Sequence, residues 1–226
     1  MDNPLLALFI PSLLIVPAMG LLSGIESHSA VTSELRRKAL HLGVGLTALS
    51  FPLFLTNVWL VVSALGIVFS WMLAVRKIPA LSRRFGCVLH GAGRKSHGEL
   101  YFSVAIAGLL LLPQSNPALY VVPVMILAIA DAAAAVVGRA WPIGHLGGLA
   151  RGKTASGAAA FAISALLITS LALAYFTPLS PLMILLVGVF VSALTTYTEA
   201  VSSNGVDNFA VPAIAWLALY STIGGV

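Results

Sequence analysis

The sequence predicts an all-α bundle of helices that crosses a membrane about eight times, and three observations predict it. Of 226 residues, 59% are hydrophobic and only 8% charged, whereas a soluble domain carries about one quarter charged residues. Apolar runs of membrane-crossing length fill the chain and leave no segment for a separate globular unit. The mean hydropathy is +1.02, and every Lys and Arg falls in one of three connections between the runs. A single integral membrane domain over residues 1–226 is therefore expected.

The first run, residues 4–22, is preceded by a single charged residue, Asp2, without the basic leader of a secretory signal, and reads as a retained span. Further runs follow at 41–55, 58–75, 100–112, 118–137, 155–176, 182–198 and 209–225. Several fall short of the roughly 20 residues a helix needs to cross the hydrocarbon, so their ends must borrow flanking residues. Eight spans result, with seven as the alternative. The basic connections are Arg36 to Lys38, Arg76 to Lys95 and Arg139 to Lys153, and the turns between them, around Asn57, Asn116 and Thr177, carry no charge. Basic loops stay in the cytoplasm, so these connections should face it, with both termini outside a cell (inner) membrane. The connection at 204–207 then falls on the cytosolic side too. Orientation accounts for the net charge of +5 without a nucleic-acid partner. Cys87, the sole cysteine, has no second Cys for a disulfide or a thiolate metal site.

Within residues 76–95, Ile78, Leu81, Phe85 and Leu89 recur at roughly helical spacing opposite Arg83 and Arg84. The pattern suits a short helix in the headgroup layer, or equally a solvated basic loop.

Polar groups at the cytosolic ends of the spans carry the chemistry, because burying an ionisable group in a membrane costs energy that packing alone does not demand. Asp131 lies seven residues before Gly138, about 10 Å into its helix, beside small residues that let another helix or a phosphate approach. The segment from Gly144 to Gly157 holds Gly147, Gly148 and Gly152 with Arg151, Lys153 and Thr154 directly before an apolar helix. Exposed backbone amides, a helix N-terminus and a full positive charge suit an oxyanion such as phosphate. Residues 147–154 match GxxxxGK[ST], but a membrane helix precedes them where a P-loop needs a strand, so a P-loop ATPase fold is rejected. Glu199 and Asp207 flank a short connection and could hold Mg²⁺ together with nucleotide phosphates, while Asp207 and Asn208 could also cap the last helix. Glu34 and Lys38, four apart, read as a helix-surface pair, and His41 and His97 as hydrated residues at span entrances.

All these groups fall on one face of the membrane, which suits bringing a charged nucleotide to a lipid headgroup. In order, ELRRKALHLG, GELYF, DAAAAVVGR, GKTASG and EAVSSNGVDNFAVP resemble the polyprenol kinase family, which includes dolichol kinase, phytol kinase and CTP-dependent diacylglycerol kinase. The sequence is more distantly similar to phosphatidate cytidylyltransferase. The resemblance covers residues 34–212. It implies a multi-span enzyme that phosphorylates a lipid alcohol of isoprenoid type, such as dolichol, phytol or farnesol, with CTP and a divalent metal at the cytosolic face. By position, Asp131 and Arg139 match the family's DxxAxxxGR segment, Lys153 and Thr154 its KT or KS pair, and Glu199, Asp207 and Asn208 its closing E...DN segment. Ala130 stands where Gly often precedes the Asp, and Ser156 where many members carry Glu.

The expected division of labour has Arg139, Gly147, Gly148, Gly152, Lys153, Thr154 and Asn208 on the nucleotide phosphates. Asp131, Glu199 and Asp207 hold Mg²⁺, and Asp131, Lys153 and Asp207 take part in catalysis, with Asp131, the deepest, accepting the alcohol proton. A cytidylyltransferase would attack the α-phosphate instead. A transporter would place its polar groups near the midplane, and this sequence does not.

Overall fold

The computed structural model describes residues 17–21, 30–53, 55, 57–89, 97–148 and 152–224. Helices dominate, and no β-strand occurs among the described residues. In chain order they are α1 (Ala30–Ala48), α2 (Val58–Lys77), α3 (Pro79–Leu89), α4 (Gly98–Leu111), α5 (Ala118–Ala140), α6 (Ala155–Phe176), α7 (Pro181–Val201) and α8 (Asp207–Ile223). Most of the expected first span, and residues 149–151 of the glycine-rich segment, lie outside the described residues.

Four helices, α2, α5, α6 and α7, are long and apolar enough to cross a membrane. The 14-residue α4 is apolar but short, reaching about 21 Å at 1.5 Å per residue against roughly 30 Å of hydrocarbon. The 17-residue α8 is also short and opens on the polar pair Asp207 and Asn208. The start of α1 is charged, carrying Arg36, Arg37 and Lys38, so the expected span at 41–55 corresponds to a helix that begins eleven residues earlier and ends at Ala48.

Local chemistry sets the helix starts. Asn57 accepts the Leu60 amide at 3.0 Å to open α2, and Thr154 accepts that of Gly157 at 3.1 Å to open α6. Ser180 caps α7 ahead of Pro181, whose missing N–H costs nothing at a helix start. At the uncharged end Asn116 ties two connections together, donating to the Phe176 carbonyl and accepting the Ala118 amide. The Tyr120 hydroxyl donates to the Ala48 carbonyl and joins α5 to the end of α1.

The central element is α5. It packs on α1, α6 and α8, and Leu119, Val122, Val124, Ile126 and Leu127 are fully or almost fully buried in the main apolar core. Pro123 interrupts its ladder, and Ile126–Ala130 adopts the wider π geometry directly before Asp131. Such segments mark sites where a helix is reshaped to aim particular groups. A second, smaller cluster gathers Met19, Leu40, Met72, Val75 and Phe85.

The helix within the basic loop forms as α3. Its apolar face does not simply await headgroups: Phe85 is buried against Trp71, and Leu81 packs on the same small cluster, while Arg83 and Arg84 stay exposed. Packing against α1 and α2 therefore takes up part of the face that the sequence offered to lipid.

Candidate active site

α1, α4, α6 and α8 start at the charged connections and α2, α5 and α7 end at them, so the charged termini of these seven helices collect at one end of the bundle. Two ionic clusters form there.

The first centres on Asp131. Lys38 and His41, one turn apart on α1, meet it from across the helix interface. The Lys38 ammonium donates to Asp131 Oδ2, and both side chains are buried. His41 Nε2 lies 3.4 Å from the same oxygen and 2.8 Å from the Leu127 carbonyl. A carbonyl can only accept, so Nε2 carries the hydrogen and donates. The ring also stands edge-on to Phe102, with centroids 4.8 Å apart. These contacts correct two expectations: Lys38 is not a surface residue, and His41 is not a hydrated interfacial one. The reason is the close approach of α1 to α5 at Gly45, where a Cβ would come within 2.4 Å of Ala128 Cβ. That contact turns the Lys38, His41 and Gly45 face of α1 inward. The spacing i, i+3, i+7 was the signal available in the sequence.

The second cluster centres on Lys153. The segment before α6 doubles back on itself: His145 pairs with Thr154, Leu146 donates to the Lys153 carbonyl at 2.9 Å, and Ala155 donates to that of Gly144 at 2.7 Å. Gly144, Gly148 and Gly152 have φ of +66°, +62° and +81°, the left-handed region that L side chains rarely enter. Glycine here serves the turn. The amides that open α6 are bonded inside this turn, Ala155 to Gly144, Ser156 to Ile143 and Gly157 to the Thr154 hydroxyl. What the turn offers the site is the Lys153 ammonium. It donates to the Glu199 carbonyl at 2.8 Å, bonds the Glu199 carboxylate, and lies 3.5 Å from Asp207 Oδ2.

Glu199 is buried in the last turn of α7. Asp207 is the first residue of α8: its Oδ1 accepts the Asn208 amide while Oδ2 faces Lys153, and the cap position itself is Val206, without a side-chain cap bond, so neither Asp207 nor Asn208 is the cap. Gly205 at φ +87° and Asn204 at +56° make the turn that brings α7 and α8 together. Asn208 is buried, whereas Arg139, Gly147, Gly148 and Gly152 are exposed at the same end.

The two clusters act on each other. Asp131 lies within electrostatic reach of both Glu199 and Asp207, and Lys38 within reach of Asp207. Three carboxylates thus face two ammonium groups. Among the described residues no three Asp, Glu, His or Cys side chains gather tightly enough to hold a metal ion; each carboxylate of the expected metal set has a lysine against it instead. A further ion pair, not expected from the sequence, joins Arg76 at the end of α2 to Glu99 at the start of α4 at 2.5 Å.

Beside Asp131 a groove opens between α1, α2 and α4. Arg37, His41 and Glu99 lie at its charged end, Ser103 adds a hydroxyl, and aliphatic and aromatic side chains make up most of the remainder.

The chain is similar to the phytol kinase of Synechocystis sp., with 27% identity over 201 residues that cover 85% of this chain and 82% of that protein. No family model and no solved structure matches it.

Proposed function

We propose that this chain is a lipid-alcohol kinase, transferring the terminal phosphate of CTP to the hydroxyl of an isoprenoid alcohol at the cytosolic face of a cell membrane. The likeness to a phytol kinase along most of both chains supports the reaction class. The observation that carries the site assignment is Lys153, set by a glycine turn across Glu199 and Asp207 at the charged end of an otherwise apolar bundle.

The residues suit a divalent ion on donor chemistry. Mg²⁺ commonly takes one or two carboxylates and completes its shell with phosphate and water. Glu199 and Asp207 already hold a cation between them in the form of the Lys153 ammonium. These two would hold Mg²⁺, which when bound supplies charge neutralisation to the phosphates. Lys153 would move from the carboxylates to the nucleotide, and exposed Arg139 would add a second cation at the mouth. Asp131, held by Lys38 and His41, would be reached by the alcohol through His41. The hydroxyl oxygen forms a bond to the γ-phosphorus, the bond from that phosphorus to the bridging oxygen breaks, CDP leaves, and the hydroxyl proton passes to a carboxylate, assigned to Asp131 as the deepest.

The test is a panel of CTP, ATP and GTP against farnesol, phytol, a long-chain polyprenol and diacylglycerol on purified protein, reading phosphorylated lipid and nucleotide product. A phosphorylated isoprenoid alcohol with CDP is expected. Pyrophosphate with a nucleotidyl lipid would replace the proposal by a cytidylyltransferase, and no turnover with any pair would remove it. Lys153→Ala should lower turnover about 100-fold or more, the scale of losing one preorganised charge on the transferring group.

A further inference from the structure

We infer that the groove between α1, α2 and α4 is the binding site for the apolar tail of the alcohol, with Phe51 and Leu55 as its floor. The inference rests on the lipid-alcohol reading above and deepens it by assigning the acceptor's place and the residues that sense its length.

The groove is graded in polarity along one axis. At the charged end it begins at His41, which touches Asp131, and at Glu99. Away from that end its walls are apolar: Ala64 on α2, and Ile106 and Ala107 on α4. At the uncharged end Phe51 and Leu55, both buried, close it in the connection from α1 to α2. A molecule with one polar head and an apolar chain matches this gradient in one orientation only, with its head at His41. Glu99 and Leu110, both lining residues, are eleven positions apart on α4, so the groove runs about 16 Å along the helix. That is roughly half the hydrocarbon thickness.

The groove is also continuous with the ionic site. His41 is shared, contributing its ring to the lining and its Nε2 to Asp131 and the Leu127 carbonyl. A hydroxyl at the charged end therefore arrives at His41, whose Nε2 lies 3.4 Å from the carboxylate assigned as proton acceptor, while the tail is sheltered between three helices. Small residues keep the middle open: Ala64 and Ala107 are buried at 5% and 6% exposure and face the same space. A large side chain at Ala64 would fill it. A small one at Phe51 would lengthen it.

The experiment uses full-length protein in phospholipid nanodiscs and a phytol analogue carrying a photoactivatable group on its tail. Labelled peptides should come from α1, α2 and α4. Labelling should fall about tenfold in Ala64→Phe, a loss of the size expected when an apolar pocket is reshaped, and yield to unlabelled phytol without yielding to added phospholipid. In turnover, Ala64→Phe should raise KM for the alcohol and leave KM for CTP unchanged. Phe51→Ala should shift preference toward longer alcohols, which keeps the inference testable if Ala64→Phe does not fold. Labelling confined to other helices, unaltered by Ala64→Phe, or displaced equally by phospholipid would overturn it. Turnover in the wild type with unchanged alcohol KM and length preference in both variants would overturn the groove and spare the kinase reading. Groove labelling without any kinase turnover would do the reverse.

Discussion

Lys38 and Asp131 show what one residue's surroundings decide. Each is a poor candidate for burial alone, since a charge taken out of water costs several kcal/mol even after relaxation. Together they are buried, with His41 on the same carboxylate oxygen. Removing one partner leaves the other charged and unpaired. Lys38→Met or Asp131→Asn alone should therefore destabilise the protein by about 3–5 kcal/mol, and the double variant by clearly less than the sum. Denaturation in detergent measures this cycle, and additive losses would contradict the pairing. Asp131 was legible from sequence because an intramembrane carboxylate is conspicuous among alanines. Lys38 was not, because three consecutive basic residues read as loop charge until the helix face is known. Lys153 was legible as a cation beside glycines, but its partners are 46 and 54 residues away and no local pattern could supply them.

At the scale of elements, close helix contacts place the site. Gly45 on α1 meets Ala128 in the π segment of α5. Gly138 and Gly157 bring α5 against α6, since a Cβ on Gly157 would come within 2.9 Å of the Ala134 carbonyl. In a membrane such contacts carry helix association, because lipid offers no hydrophobic contrast. Gly45→Ala should push α1 away and cost about 1–3 kcal/mol through overpacking. Ala128→Gly in the same chain should restore much of the loss, because it removes the clashing methyl. Thermal unfolding and kinase turnover should move together in both variants, since the same contact positions Lys38 and His41. Helix extents were largely legible: the runs at 58–75, 118–137, 155–176 and 182–198 lie within the observed α2, α5, α6 and α7. The start of α1 was less so, because its first turns are polar and hydropathy sees only the apolar half.

For the whole molecule, the exposed surface and the charged end pull in different directions. Leu167, Leu171 and Tyr175 on α6 are 56%, 71% and 83% exposed, and Leu182, Leu185 and Leu186 continue the apolar surface on α7. Water would not tolerate so continuous an apolar surface, whereas lipid tails would meet it at no cost. The basic connections then orient the bundle, and the expected arrangement puts the Lys153 end in the cytoplasm. Replacing the single Cys87 by Ser provides a cysteine-free background for a direct check. A membrane-impermeant thiol reagent applied to intact cells should modify Pro178→Cys, in the uncharged turn between α6 and α7. Ser203→Cys, between α7 and α8, should react only after permeabilisation. The opposite pattern would invert the proposed topology.

Composition and periodicity alone determined the helical membrane architecture, the helices that are apolar throughout, and the segregation of charge into alternate connections. Those properties follow from the length of hydrocarbon a helix must cross and from the cost of charge inside it, and both are written locally. The pairing of Lys38 and His41 with Asp131, the bonding of the α6 amides within their own turn, and the groove beside His41 were decided only in the tertiary structure. Each depends on which helices touch and on the small residues that let them touch, and these distances are set between segments far apart in the chain.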